Sequence, residues 1–154
     1  MPWVIIVLII VGMDQLTKYL VVKNIAFGSM VTIIDKLFYF THSTNKGAAF
    51  GMFQNGRVVF IPLTILMCAA MIFYMTREKN TVLRIALSLI LGGAVGNLID
   101  RMFKPAGVVD FIYIPPVSFI FPNFNIADSS VVVGTCILAY YVIFIYKEKE
   151  KIKV

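Results

Sequence analysis

Hydrophobic residues gather into four long runs along the chain, at about 3–22, 58–76, 82–101 and 126–146. A helix needs about 20 mostly apolar residues to cross a hydrocarbon core of roughly 30 Å, and each run is close to that length. The pattern therefore predicts four membrane-spanning helices joined by loops at 23–57 and 102–125. Because the helices leave no room for a soluble domain, we predict a single polytopic membrane domain.

Between these runs the pattern becomes strand-like. Residues 30–41 and 108–112 are rich in β-branched and aromatic side chains, which favour strands over helix. Prolines exclude a long helix at 114–122, where Phe119, Ile120 and Phe121 either dip into the membrane interface or fold over the helix ends. The predicted fold class is a membrane all-α four-helix transmembrane bundle with a small extracytoplasmic β-sheet.

Composition and charge support this prediction. Of the 154 residues, 60% are hydrophobic and 14% charged, and the net charge is +6. The basic residues are not interleaved with aromatics on a polar surface, so no nucleic acid partner is expected. Many lie in the link 77–79 and the tail 147–153 instead, which by the positive-inside rule places both termini in the cytoplasm and both long loops outside. The first run lacks a basic leader and contains Asp14 and Lys18, which predicts a retained helix rather than a signal peptide.

The soft metal ligands are few. Cys68 and Cys136 fall inside predicted spans, where a thiol behaves as a small apolar side chain, and His42 is the only histidine. This set is too small for a zinc site. We therefore expect no metal and no cofactor.

Ionisable groups collect near one predicted depth, the outer leaflet. Such groups cost about 2.5–3.5 kcal/mol each at the centre of a span, so they usually face a bundle interior and mark function. The ionisable residues at this depth are Asp14, Lys18, Asp100, Arg101 and Asp128, and the amide of Asn97 lies at the same depth.

Several of these residues also have a structural explanation. Asp14 and Lys18 are spaced for an ion pair that orients the first helix. Asp100 and Arg101 form a possible pair at the end of the third helix, and Asn97 is placed to bridge helices. We predict that all five support the site rather than perform the chemistry.

Two aspartates, Asp110 and Asp128, differ from these five supporting residues in that they are candidates for the chemistry. Asp128 follows Asn125 by three residues, the spacing of a helix cap, and alone it would be a cap. Asp110 lies among branched and aromatic residues with no capping role, and an unpaired buried carboxylate is costly. Two carboxylates around one water hydrolyse an amide without a metal, one ionised and one protonated. The helix N-terminus favours charge on Asp128 and the apolar neighbours favour a neutral Asp110, but sequence spacing does not establish that the two meet.

The loop at 45–51 is rich in glycine and small residues. It suits a tight turn, a close approach to a ligand, or a flap that closes over one, and a plain surface loop is the alternative.

Five motifs occur in order along nearly the whole chain: D-Q-x-T-K from Asp14, N-x-G-A-A-F-G from Asn45, G-G-A-x-G-N-x-x-D-R from Gly92, V-D-F from Val109 and F-N-x-A-D from Phe124. Together they resemble the lipoprotein signal peptidases, or signal peptidase II. The resemblance implies an aspartyl endopeptidase whose catalytic pair is Asp110 and Asp128. It departs from many relatives at 114–122, where they carry a tryptophan.

The resemblance also implies the substrate, the location and the supporting residues. The substrate is a bacterial prolipoprotein cut just before its diacylglyceryl-modified cysteine, in the cytoplasmic membrane, with the active site near the outer leaflet and membrane lipids around it. The implied substrate-binding and supporting residues are Asn45, Gly47, Asn97, Arg101, Asn125, Asp14, Lys18 and Asp100.

Two other functions compete with this one. A transporter or channel subunit would need acids spread across the membrane depth, and the middle of each span contains none. A Ser-Lys peptidase would use Ser129 or Ser130 with Lys18.

Overall fold

The computed structural model describes residues 2–47, 56–120 and 122–146. Its helices and strands are α1 (Pro2–Asn24), β1 (Met30–Ile34), β2 (Phe38–Asn45), α2 (Arg57–Arg77), α3 (Thr81–Phe103), β3 (Val108–Tyr113) and α4 (Ile126–Tyr140), with α4 continued by a π-helix at Tyr141–Tyr146. Within the described residues, four helical segments are long and apolar enough to cross a membrane. The predicted fold class is therefore confirmed, and the four helices lie where the spans were predicted.

The central helix of the bundle is α3. In its most apolar stretch 56% of the residues are buried, compared with 11% in α2. The residue before it, Asn80, is the N-cap: its side-chain oxygen accepts a hydrogen bond of 3.1 Å from the amide of Leu83 in the first turn. Because α3 packs against the other three helices, side chains at its end reach residues from all of them.

Small residues on α3 let its neighbours approach closely. A Cβ atom at Gly93 would overlap the backbone carbonyl oxygen of Ala127 on α4, and one at Gly96 would lie 2.7 Å from a carboxylate oxygen of Asp14. Gly93 thus sets the α3–α4 separation, and Gly96 leaves room for the Asp14 side chain.

Replacement of Gly93 by alanine should lower the thermal unfolding midpoint in detergent, by an amount equivalent to about 1–3 kcal/mol of overpacking. Gly12→Ala is the matched control, since nothing lies within 4 Å of a Cβ placed there. It should leave the midpoint unchanged or raise it slightly, because alanine favours helix. Equal midpoints for the two variants would contradict the close contact at Gly93.

The sheet confirms the strands predicted at 30–41 and 108–112. It is antiparallel in the order β1-β2-β3, and Ser43 of β2 pairs with Asp110 of β3. Phe111 and Val109 are buried against Val21 near the end of α1. This apolar contact fixes the sheet to one end of the bundle and fixes Asp110 with it.

The segment after β3 contains a short 3-10 helix at Pro115–Val117, which agrees with the prediction that its prolines exclude a long helix. Phe119 and Ile120 are 77% and 46% exposed, so they do not fold over the helix ends. Their insertion into lipid stays a prediction. Phe121 and most of the predicted flap, residues 48–51, lie outside the described residues.

Candidate active site

Asp110 is held by β3 at the end of the bundle. Asp110 is 5% exposed, and one of its carboxylate oxygens accepts a hydrogen bond of 2.7 Å from Nδ2 of Asn125. The Ser43 hydroxyl donates to the backbone carbonyl of Asp110 at 2.9 Å. Both contacts fix the position of this aspartate.

Asp128 lies in the first turn of α4 and forms the capping box that the sequence predicts. Its amide donates to Oδ1 of Asn125 at 2.9 Å, and its own Oδ2 accepts from the Asn125 amide at 3.2 Å. Its second oxygen, Oδ1, accepts a bond of 2.8 Å from Nδ2 of Asn97 on α3. A cap thus accounts for only one of the two carboxylate oxygens.

Two asparagines connect the aspartates. Nδ2 of Asn125, which contacts Asp110, also donates to Oδ1 of Asn97 at 3.2 Å. Asn97 in turn donates to Asp128. Four side chains from β3, α3 and α4 therefore form one continuous hydrogen-bonded chain with a carboxyl group at each end. The structure brings together the two aspartates, which are 18 positions apart in the sequence.

The pKa of the Asp110 carboxyl is raised from its ordinary value of 3.8 to about 7. Burial is the main cause, and the negative charge of Asp128 adds to it. The hydrogen bond from Asn125 and the positive charges of Lys18 and Arg101 act in the opposite direction. Near neutral pH a substantial fraction of Asp110 is therefore protonated.

This shift predicts a pH-dependent stability difference. Between 3.8 and about 7 the unfolded chain binds fewer protons at Asp110 than the folded chain, so the free energy of unfolding falls as pH rises through that window. Asp110→Asn removes the buried charge. Its unfolding midpoint should exceed that of the wild type at about pH 8 and approach it at about pH 4. A variant that is less stable at both pH values would contradict the raised pKa.

Lys18 is the centre of a second cluster, which lies beside the pair of aspartates Asp110 and Asp128 (the dyad). Its side chain is fully buried, and Nζ lies 2.8 Å from Asp14 and 3.0 Å from Asp100. Nζ also donates to Oδ1 of Asn97 at 2.9 Å. The predicted Asp14–Lys18 ion pair is present, and through Asn97 it contacts the hydrogen-bonded chain of the site.

Asp14 connects this cluster to α4. Its Oδ1 accepts a hydrogen bond of 3.0 Å from the backbone amide of Ala127, one of the first amides of α4. A carboxylate from α1 therefore helps to hold the turn that carries Asp128.

Asp100 does not pair with Arg101. It pairs with Lys18 and, at 2.6 Å, with Lys104, and its Oδ2 accepts from the amide of Val109 at 3.1 Å. Consecutive residues on a helix point in different directions, whereas residues four apart share a face, which is why Lys104 is the partner on α3. The contact with Val109 fixes the start of β3, next to Asp110.

Arg101 faces the loop that begins after β2. Its Nη2 donates to the Gly47 carbonyl at 3.3 Å, and its guanidinium lies 5.7 Å from the ring centroid of Phe60. The Gly47 amide donates to Oδ1 of Asn45 at 2.9 Å. The structure thus places Asn45, Gly47 and Arg101 together, and the charge of Arg101 acts on Asp110.

Three residues of this region were not among the predicted site residues. Gln15 donates to the carboxylates of Asp14 and Asp100 at 3.1 and 3.2 Å. Lys104 could have been found from its spacing of four from Asp100. No sequence pattern pointed to Ser43, because only the strand register brings it to Asp110.

The chain is similar to known proteins over most of its length. The protein-family model described as Signal peptidase (SPase) II matches residues 6–144. A solved bacterial membrane enzyme structure, obtained by the in meso method at 2.3 Å resolution, is 31% identical with a TM-score of 0.86, covering 92% of this chain and 87% of the other. A second bacterial membrane enzyme structure at 1.9 Å is 31% identical with a TM-score of 0.85, covering 94% of both chains. These matches and the spanning helices show a multi-pass bacterial membrane protein and a peptidase, and the chain belongs to the signal peptidase II family.

Proposed function

We propose that this protein is an aspartyl endopeptidase that removes the signal peptide from diacylglyceryl-modified bacterial prolipoproteins. The cut falls just before the lipid-modified cysteine. The observation that carries the proposal is a pair of carboxyl groups, buried Asp110 and half-buried Asp128, joined through Asn125 and Asn97 at one end of the bundle.

The proposed reaction begins with a water molecule between the two carboxyl groups. Ionised Asp128 takes a proton from the water, whose oxygen bonds to the carbonyl carbon of the scissile amide, while protonated Asp110 gives its proton to the carbonyl oxygen. When the tetrahedral intermediate collapses, the amide nitrogen takes the proton from Asp128 and the C–N bond breaks. The hydroxyl proton returns to Asp110, so both carboxyl groups end as they began.

The neighbouring residues orient this pair. Asn125 donates its side-chain Nδ2 to Asp110 and its backbone amide to Oδ2 of Asp128, and Asn97 donates to Oδ1 of Asp128. Because each carboxylate oxygen has two lone pairs, both groups keep acceptor positions for water and substrate. Asn45, Gly47 and Arg101 border the same region and supply donors and acceptors for the substrate backbone. Asp14, Lys18 and Asp100 hold the supporting helices and strand in place.

The position of the dyad fits a lipid-anchored substrate. Asp128 belongs to the first turn of a spanning helix and Asp110 to the sheet at the helix ends, so both lie at the boundary of the apolar region. A cysteine held by acyl chains presents its preceding amide at that boundary. With both termini in the cytoplasm, as the positive-inside rule favours, this boundary is the outer leaflet.

The substrate is tested by incubating the purified chain in detergent with a diacylglyceryl-modified prolipoprotein and, separately, with its unmodified precursor. We expect a mobility shift only for the modified protein, and an intact mass that places the cut before the cysteine. Equal cleavage of both would contradict the requirement for lipid.

Cleavage should be insensitive to chelators, because the proposed reaction uses two carboxyl groups and water alone. Overnight dialysis against EDTA should leave the rate unchanged. A loss of activity that zinc or magnesium restores would contradict the metal-free mechanism.

The Ser-Lys alternative is disfavoured by the contacts of its members. The hydroxyls of Ser129 and Ser130 donate to the backbone carbonyls of Asn125 and Ala127 at 2.9 and 2.8 Å. The Nζ atom of Lys18 contacts the carboxylates of Asp14 and Asp100 and the side chain of Asn97. A Ser129→Ala, Ser130→Ala variant should keep cleaving.

A further inference from the structure

A small cationic pocket lies beside the site, between the start of α2 and the end of α3. Its volume is about 60 Å³. The residues that line it are Asn45, Lys46, Arg57, Arg101, Lys104, Pro105 and Gly107. Four of the seven are basic and none is acidic.

The acids beneath this pocket neutralise only part of its charge. Asp100 pairs with Lys104 but is shared with Lys18, which also pairs with Asp14. These two acids and two lysines balance each other. The positive charges of Lys46 and Arg57 remain, whereas Arg101 also interacts with the charges of Asp110 and Asp128.

The two arginines contact neutral backbone groups. Arg57 donates to the carbonyl of Met102 at 2.6 Å, and Arg101 donates to the carbonyl of Gly47 at 3.3 Å. Within the described ranges, the ion pairs involve Lys18 and Lys104 and neither arginine. A guanidinium has five donors in a planar fork, so each arginine retains donors for a phosphate or carboxylate ligand.

Topology does not explain this cluster. The positive-inside rule places an excess of Lys and Arg on the cytoplasmic side. Arg57 at the start of α2, and Arg101 and Lys104 at the end of α3, lie at the opposite helix ends from the basic link at 77–79, and Lys46 lines the same pocket. Basic residues collected against that trend need another reason, and an anionic ligand provides one.

The surroundings of the pocket are apolar. Val58 and Val59, at the start of α2, are 83% and 63% exposed, and Met102 and Phe103, at the end of α3, are 42% and 73% exposed. A ligand with an anionic head and acyl chains would contact the basic residues and these apolar side chains together.

We propose that this pocket binds the phosphate of an anionic phospholipid headgroup, with the acyl chains lying along the exposed ends of α2 and α3. Basic pockets between membrane helices are suited to such headgroups. The bound lipid would lie next to Arg101 and Asn45, at the level where the proposed substrate enters.

Native mass spectrometry of the full chain in detergent tests the proposal, with dioleoyl phosphatidylglycerol and dioleoyl phosphatidylcholine added in equal amounts. We expect the phosphatidylglycerol to bind preferentially. Each basic residue near such a headgroup contributes about 1 kcal/mol, or about fivefold in affinity, so Arg57→Gln with Lys46→Gln should lower the preference by about 25-fold. Binding is measured without turnover, so the result does not depend on the proposed peptidase reaction.

Three comparisons make the test decisive. Lys23→Gln removes an exposed cation at the end of α1, outside the pocket, and should leave the preference unchanged. Arg57→Lys keeps the charge and should retain most of it. In a thermal unfolding measurement, phosphatidylglycerol should raise the midpoint of the wild-type chain, whereas inorganic phosphate alone should not. Equal losses in Lys23→Gln and in the double variant Arg57→Gln, Lys46→Gln, or full stabilisation by inorganic phosphate, would overturn the proposal.

Discussion

Asp110→Asn and Asp128→Asn should each lower the rate of prolipoprotein cleavage by about 10²- to 10⁴-fold, because an amide can neither accept nor supply the proton that each position handles. Asparagine is close in size to aspartate. It also keeps a carbonyl oxygen that accepts the hydrogen bond from Asn125 or Asn97. The variants should therefore remain folded, and a cleavage assay with the diacylglyceryl-modified substrate measures the effect.

The control for this prediction is the Ser129→Ala, Ser130→Ala variant, which alters the same turn of α4 without touching the dyad. It should cleave at a rate near that of the wild type. Unfolding midpoints of all variants establish that lost activity is not lost structure. Normal turnover by either asparagine variant would rule out the paired-carboxyl reaction.

Lys18→Met should have the largest effect on stability. The side chain is fully buried between Asp14 and Asp100, and methionine keeps its approximate length without its charge. Breaking a buried ion pair by removing one partner costs about 3–5 kcal/mol, because the remaining charge is left uncompensated. The unfolding midpoint in detergent should fall sharply, and activity with it, since Lys18 also contacts Asn97.

The matched control is Lys23→Met, one turn further along α1 and exposed, which should leave the midpoint nearly unchanged. Adding Asp14→Asn to Lys18→Met removes the one carboxylate left without a cation, because Asp100 still pairs with Lys104, and should recover part of the lost stability. If the double variant were no more stable than Lys18→Met alone, the uncompensated charge would not be the reason for the loss.

The sequence was sufficient for the parts of the fold that rest on local pattern. The spans follow from the length of apolar runs, and the strands from β-branched and aromatic residues. The capping box of Asn125 and Asp128 was predictable because both members lie within one turn. The same holds for the Asp14–Lys18 pair, whose spacing of four places both on one face.

Contacts between distant segments could not be predicted in this way. Ser43 reaches Asp110 through a strand register that no local pattern specifies. Asp14 reaches the amide of Ala127 only because Gly96 leaves space where α1 and α4 meet. The possible Asp100–Arg101 pair does not form, because a helix directs consecutive side chains apart, and Asp100 pairs with Lys18 and Lys104 instead.

The cationic pocket was missed for a related reason. Lys46, Arg57, Arg101 and Lys104 come from three separate segments, so their charges are not a run in the sequence. They meet only where the start of α2 and the loop after β2 both lie beside the end of α3.

The pH dependence of kcat/KM with the diacylglyceryl-modified substrate tests the central claim most directly, because it reports the ionisation of the free enzyme's essential groups. If protonated Asp110 supplies the acid, kcat/KM should fall as pH rises through about 7, the value to which burial and Asp128 raise its pKa. The pair titrates together, so the midpoint belongs to the dyad as a whole. A profile that stays flat from about pH 6 to about pH 9 would mean that no such acid takes part, and would contradict the account.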